Sequence, residues 1–297
     1  MSIAARQGGW GNADVKDQLK SDKAGSGRAL IVLRNVTKRF TGKVVLDDIC
    51  LEIEKGKTTV VIGPSGCGKT VLLKHLVVLL RPTSGEIYFD GMRIDTLPES
   101  ELSRIRTRFG FLFQGGALFD SLSVADNIIF PIRQHCVIND WSKVDDLVRT
   151  KLAMVGLNGF QDYYPSSLSG GQRKRVALAR AIALDPELIL YDEPTTGLDP
   201  INADIINELI IKLEKELGVT SVAVTHDMKS AYKIADRIIM LNGGRIIADG
   251  DADHIRGHPD PAIQQFINGR IGTDDLTALR SSGVDRNGRL TAGGWKK

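Results

Sequence analysis

The sequence has few cysteines, and their placement suits neither disulfide nor zinc chemistry. Cys50, Cys67 and Cys136 are the three among 297 residues, and no two of them have C-x-x-C spacing. This pattern excludes a disulfide scaffold and a structural zinc site of the usual kind. Three scattered thiols fit a reducing compartment.

Long hydrophobic runs are also scarce. The longest, residues 71–80, is interrupted by Lys74 and His75 and is shorter than a membrane span requires. No apolar signal segment begins the sequence. We therefore expect a chain that does not itself cross a bilayer, although it can dock on a protein that does.

A strong charge imbalance is missing as well. The net charge is +3, and 39 Lys and Arg are interspersed with 36 Asp and Glu, so no long basic run indicates nucleic-acid binding. With 42% hydrophobic residues, the chain can bury the core of one or two globular domains.

The strongest feature that is present is a G-x-x-x-x-G-K-T phosphate loop. It follows a β-branched run, residues 58–62, and opens a helical pattern, residues 71–76. Glycines let backbone amides face phosphate oxygens at a helix N-terminus, while Lys69 is expected to reach the β- and γ-phosphates and the Thr70 hydroxyl to bind Mg²⁺. The predicted phosphate loop consists of Gly63, Pro64, Ser65, Gly66, Cys67, Gly68, Lys69 and Thr70.

Two acidic residues end another apolar run. Asp192 and Glu193 follow residues 188–191, which read as a buried strand. Asp192 is expected to hold Mg²⁺ through its water shell, and Glu193 to orient or deprotonate the attacking water. The alternative interpretation is a pair of solvated acids at a strand end.

A second candidate anion site precedes a basic helix start. It consists of Ser169, Gly170, Gly171 and Gln172. Small residues at a helix N-terminus bind anions, so one chain carries two phosphate-facing elements. One nucleotide has no obvious use for both.

The remaining patterns predict an α/β fold. The expected strands, besides the one before the phosphate loop, are residues 30–33, 43–46, 49–53, 86–90, 109–113, 188–191 and 220–224. The clearest helices are residues 140–155, 172–183 and 201–217. The last helix joins two buried strands in a βαβ unit.

Three regions follow from these patterns. Residues 1–28 are expected to be a flexible extension, residues 29–268 the domain, and residues 269–297 a C-terminal extension. The domain contains a helical insertion over about residues 115–183.

Taken together, the motifs resemble those of the ATPase subunits of ABC transporters, over residues 30–250. Residues 168–172, here called the signature segment, are similar to the family's signature sequence. Phe40 resembles the adenine-stacking aromatic, where the family more often has Tyr and where a core Phe is the alternative interpretation. The other matches are Gln114 for the Q-loop, Asp199 for the D-loop, with Thr196 where Ser is commoner, and His226 for the switch histidine.

The resemblance implies a P-loop ATPase of the ABC type. Its expected fold is a mainly parallel core sheet, an N-terminal antiparallel β layer and an inserted helical subdomain. Two copies would pair head to tail, so that each signature segment caps the ATP and Mg²⁺ held by the other copy. Gln114 would sense Mg²⁺ and water, and His226 would hold the γ-phosphate, although a lone His is more often structural.

Residues 113–133 and 260–269 resemble the ATPases of MCE-type lipid transporters, notably the Mla phospholipid family. This implies a peripheral ATPase dimer on the cytoplasmic face of the inner membrane, beneath permease subunits and with MCE-domain and STAS-domain partners. Leu118 and Phe119 are candidates for a permease contact beside Gln114, and a core position is the alternative for both.

Three other functions are compatible with some of these motifs. An importer of polar solutes, such as amino acids, shares all of them. A soluble ABC ATPase acting on nucleic acid usually has two cassettes or a long coiled-coil insertion, and this sequence has neither. A phosphotransferase would need an acceptor site, which the sequence does not indicate.

Overall fold

The computed structural model describes residues 28–135 and 143–269. The predicted extensions fall outside these ranges apart from Arg28 and Gly269, so the boundaries of the three regions stay predictions. Strands β1 to β10 span Ala29–Phe40, Lys43–Glu54, Thr58–Ile62, Ser84–Phe89, Met92–Arg93, Phe109–Leu112, Leu188–Asp192, Thr220–Val224, Arg237–Asn242 and Arg245–Gly250. Helices α1 to α9 span Lys69–Leu76, Glu99–Arg106, Val124–His135, Val144–Met154, Gly170–Ala181, Pro200–Leu217, Met228–Ile234, Ala252–Arg256 and Pro261–Ile267.

A six-stranded sheet in the order β10-β9-β3-β8-β7-β6 forms the centre of the domain. Its neighbouring strands pair in parallel except β10, which is antiparallel to β9. Every residue of β3, β7 and β8 is buried, as expected for parallel strands covered on both faces. The carboxyl ends of these three strands share one edge, and the phosphate loop, Glu193 and His226 follow directly from them.

A second sheet is antiparallel and has the order β2-β1-β4-β5. The expected N-terminal β layer is therefore present, and it gains the strand that follows the loop helix. The two strands expected at residues 43–46 and 49–53 are in fact the single strand β2. Asp48, with φ of 55°, lies where the register between β1 and β2 shifts, so the polar interruption is a bulge rather than a turn.

The helical insertion between β6 and β7 contains α3, α4 and α5. Helix α3 was not among the expected helices, and Pro131 within it disguises its pattern. Helix α4 spans Val144–Met154, and the start expected at residue 140 lies outside the described ranges. Helix α5 begins at Gly170 rather than residue 172 because the side chain of Ser169 caps it.

The core has two parts. One lies between the central sheet and α3 to α6, and the other lies between the two sheets and around α1. Strands β9 and β10 with helices α8 and α9 complete the domain beyond the last expected strand. Among the described residues, no helix combines the length and the apolar character needed to cross a bilayer.

Candidate functional site

A cavity of about 330 Å³ opens where the central sheet meets the phosphate loop. It gathers residues from five separate parts of the chain, including eight of the residues that the sequence analysis selected. The cavity is lined by Val45, Ser65, Gly66, Gly68, Lys69, Thr70, Val71, Gln114, Glu193 and His226.

The phosphate loop forms the floor of this cavity. Gly68 has φ of 109°, and a Cβ there would lie 2.9 Å from the carbonyl oxygen of Val45, so only glycine fits. The ammonium of Lys69 donates to the carbonyl oxygens of Gly63 at 2.7 Å and Pro64 at 3.0 Å. The loop thus holds a cation and the positive end of α1 beside one another, which is the arrangement an anionic phosphate requires.

Thr70 and Asp192 bring two oxygen ligands together. The Thr70 hydroxyl donates to the Asp192 carboxylate at 3.0 Å. Burial raises the pKa of Asp192 above its ordinary value, and nearby Glu193 raises it further, against the hydrogen bond from Thr70. A hydroxyl and one carboxylate fit Mg²⁺, which takes few protein ligands and completes its shell with phosphate and water.

Three contacts fix the position of Glu193. Its backbone φ of 48° is left-handed, and its amide donates to the carbonyl of Val224 at 3.0 Å. Its carboxylate accepts from the Thr196 hydroxyl at 3.1 Å and lies 2.9 Å from Nδ1 of His226. The carboxylate is therefore oriented in the cavity and paired with a half-exposed imidazole, as a general base with an orienting partner requires.

The signature segment lies elsewhere. Ser169 caps α5 by accepting from the amide of Gln172 at 3.2 Å, and the Gln172 side chain accepts from the amide of Ser169 at 2.8 Å. These two bonds form a capping box, which the spacing of Ser and Gln predicts. None of Ser169, Gly170, Gly171 and Gln172 is among the residues that line the cavity.

Asp199 supports the signature segment rather than the cavity. It caps α6 and accepts from the side-chain amide of Asn202 at 2.6 Å. That hydrogen bond, the largest cause, lowers the pKa of the Asp199 carboxyl. A Cβ on Gly171 would lie only 2.4 Å from Oδ1 of Asn202, so Asn202 links Asp199 to the start of α5.

Two other predicted residues take positions outside the cavity lining. Phe40 is 39% exposed at the end of β1, where Lys38 lies 5.0 Å above its ring, so adenine stacking stays a prediction. Cys67 is buried, and burial raises the pKa of its thiol, which disfavours the reactive thiolate.

Sequence reasoning missed two residues beside the site. Val45 lines the cavity from β2, and nothing in its strand pattern distinguishes it from its neighbours. Lys174 is buried on α5 and donates to the carbonyl oxygens of Gln114 and Glu193. It stands in the basic run after the signature segment, but only the fold shows what it touches.

A larger aromatic cavity of about 450 Å³ lies beside the Q-loop. Phe119 is 42% exposed and lines it, whereas Leu118 is half-buried and packs against the core. Leu118 therefore takes the core position, whereas a permease contact of Phe119 stays a prediction. The other residues lining this cavity include Phe111, Phe113, Phe130, Pro131 and Arg180.

Comparison with known proteins places these features in a family. Residues 46–196 match the family model described as ABC transporter. The intermembrane phospholipid transport system ATP-binding protein MlaF of Haemophilus influenzae is 44% identical over 81% of this chain and 90% of its own length. MlaF of Escherichia coli K12 is 42% identical, and the probable ribonucleotide transport ATP-binding protein mkl of Mycobacterium leprae is 41% identical, with 69% of its length covered.

A solved structure agrees with the fold. The dimeric post-hydrolysis state of the ATP-binding cassette MJ0796, bound to ADP and Pi, has a TM-score of 0.69 and 35% identity. The match covers 74% of this chain and 98% of that one.

Proposed function

The chain belongs to the ABC transporter family, and from that premise we propose that it is the ATP-hydrolysing subunit of a transporter that moves phospholipid between membranes. The observation that carries the ATPase part is the cavity in which the phosphate loop, Gln114, Glu193 and His226 meet. The loop follows β3 and Glu193 follows β7, on either side of β8, so a terminal phosphate and its attacking water would both fit at this edge of the sheet.

Each cavity residue has a separate task in this proposal. Loop amides and Lys69 bind the phosphates, and Glu193 takes the proton of the attacking water. His226 holds the Glu193 carboxylate, to which its Nδ1 lies 2.9 Å away, and faces the γ-phosphate with Gln114. Mg²⁺, held by Thr70 and Asp192, would neutralise charge on the phosphates.

The signature segment calls for a second copy. Its residues lie at the start of α5, where Ser169 is the cap, and none of them lines the cavity, so this chain's own ATP would not contact them. In a head-to-tail dimer each segment would cover the partner's ATP, with Asp199 nearby. The dimeric form of the related cassette MJ0796 supports this arrangement.

The aromatic cavity suits a membrane-protein partner. Phe113 and Phe119 are large, exposed apolar side chains next to Gln114, so a helix docked there would touch the element that senses ATP. We assign this surface to a permease subunit, with the ATPase peripheral on the cytoplasmic face of the inner membrane. MCE-domain and STAS-domain proteins would be the further partners, and nucleic acid would not be one.

The cargo binds the permease, so its assignment rests on the relatives of this ATPase. The 44% identity to MlaF favours phospholipid, and the 41% identity to mkl favours a polar cargo as the alternative. Lipid and polar-solute transporters also differ in their outer partner.

The test is purification of the intact complex from its native membrane through a tag on this subunit. Mass spectrometry should identify phospholipid, a permease and an MCE-domain protein, and ATP should drive transfer of labelled phospholipid between acceptor and donor vesicles. A complex carrying Glu193→Gln should retain the partners but not the transfer. A soluble solute-binding protein without bound lipid would overturn the phospholipid assignment.

A further inference from the structure

Lys174 is a buried cation that makes its contacts with main-chain oxygens. It lies on α5, is 6% exposed, and its ammonium donates to the carbonyl oxygen of Gln114 and, at 3.4 Å, to that of Glu193. Gln114 and Glu193 both line the nucleotide cavity, but they are 79 positions apart in sequence, as their numbers show. A single side chain thus holds the backbone behind both of them.

Burying this ammonium is costly. Burial is the dominant influence and lowers the pKa of Lys174, while the charges of Asp192 and Glu193 partly oppose it. An apolar side chain of the same length would fill this space without the free-energy cost of burying a charge. The hydrogen bonds to two carbonyl oxygens offset part of the cost of burying the charge.

The contact with Glu193 meets a strained backbone. A left-handed φ of 48° is unfavourable for a residue with a side chain and persists only where the surroundings enforce it. The amide of Glu193 is held by the carbonyl of Val224, and Lys174 is the side chain that holds its carbonyl. The peptide groups on both sides of the Glu193 Cα are therefore held by hydrogen bonds.

Lys174 lies on the helix that the signature segment opens, so its contacts connect that segment to the cavity. Ser169 caps α5 five positions before Lys174, so a displacement of the signature segment would move the lysine with it. We propose that Lys174 is a positioning residue that couples the signature segment to Gln114 and Glu193 of the same chain. The inference rests on the proposed ATPase function and adds to it a route by which the partner's ATP affects hydrolysis in this chain.

Two neighbouring cations on α5 provide contrasts. Arg180 donates to the carbonyl oxygens of Gly116 and Ala117, so it holds the Q-loop but does not reach Glu193. Arg175 donates to the carbonyl of Gly156 at 3.1 Å, within the helical insertion alone. Of these three cations, only Lys174 donates to the backbone of Glu193 as well as to that of Gln114.

The test compares Lys174→Met with Lys174→Gln in the full chain, and Arg175→Met serves as control. Met and Gln have nearly equal volume and reach, but only Gln keeps an N–H donor. We expect Lys174→Met to lower kcat by about tenfold or more with KM for ATP changed by less than about threefold, because binding groups are untouched. Lys174→Gln should recover most of kcat, and Arg175→Met should stay within about twofold of the parent.

Parental kcat in Lys174→Met would overturn the proposal. Equal losses in Lys174→Met and Lys174→Gln would also overturn it, because they would show that packing and not donation matters. If the parental protein neither binds nor hydrolyses ATP, the proposed function itself fails. A parent that is active, with an equally active Lys174→Met, leaves the proposed function standing and removes only the coupling.

Discussion

The nucleotide cavity and the signature segment differ in where their polar groups find partners. In the cavity, Thr70 bonds to Asp192 and Glu193 pairs with His226, so each contact joins distant parts of the same chain. In the signature segment, the side chains of Ser169 and Gln172 bond to each other's backbone. The cavity assembles a reaction centre within one chain, whereas the segment is a rigid, prefolded surface ready for a ligand brought by another molecule.

The sharpest way to isolate the cavity's contribution is Glu193→Gln. We expect kcat to fall by about a hundredfold or more, because removal of a general base removes that much rate, while ATP binding persists. Amide and carboxylate are the same shape, so stability should be unchanged. ATP-dependent dimerisation, followed by light scattering, should increase because closure is no longer reversed by hydrolysis. Parental turnover in this variant would remove Glu193 from the mechanism.

The next prediction tests whether the segment belongs to the partner's site. Lys69→Ala disables the cavity and Ser169→Arg blocks the segment, so each variant alone should be inactive. A mixture should regain about a quarter of the parental activity, since half of the randomly formed dimers contain one intact composite site of two. A monomeric preparation with full activity, or Ser169→Arg with no loss, would contradict the two-copy arrangement.

The cavity was easier to predict from the sequence than the segment's surroundings. Strands β3, β7 and β8 are buried throughout, so each appears in the sequence as an apolar run followed by polar residues. The capping box has a local pattern, because its partners are three positions apart, but in the sequence analysis these residues were interpreted only as an anion site. Contacts that join distant segments, such as that of Lys174 with Gln114, leave no local pattern.

The fold was least predictable where regular patterns are interrupted. The bulge at Asp48 divided one strand into two expected ones, and Pro131 concealed α3. In both places a residue that usually ends an element lies inside one, because tertiary packing outweighs the local preference. The role of Phe40 stays a prediction, because its ring is exposed at the end of β1 and its function depends on the group that stacks on it.

The rigidity attributed to the signature segment is tested by Gly171→Ala. The added methyl would lie 2.4 Å from Oδ1 of Asn202, so one of them must move, at a cost of about 1 to 3 kcal/mol in the free energy of unfolding. Asn202→Ala in the same chain should restore most of this loss. A double-mutant cycle by thermal unfolding measures the coupling. Additive effects of the two changes would show that the segment adapts freely.

The smallest expected effect is a difference in acid sensitivity between α1, behind the phosphate loop, and the signature helix α5. His75 lies on α1 behind the phosphate loop, fully buried, with Nδ1 2.7 Å from the carbonyl of Val71 and Nε2 without a hydrogen-bond partner among the described residues. Burial lowers its pKa from the ordinary 6.5, and the charge of Lys38 adds to this. The signature helix α5 contains no histidine.

Because the unfolded chain binds the proton more readily than the native one, the free energy of unfolding should be constant above pH 7 and decrease as pH falls below about 6.5. Chemical unfolding at pH 7.5 and 5.5 measures this, and His75→Leu should lose less stability than the parent between these values. Hydrogen exchange should accelerate in α1 before α5, since the N–H that protonation places on Nε2 has no acceptor among the described residues. Equal acid losses in the parent and His75→Leu would assign the sensitivity to other groups.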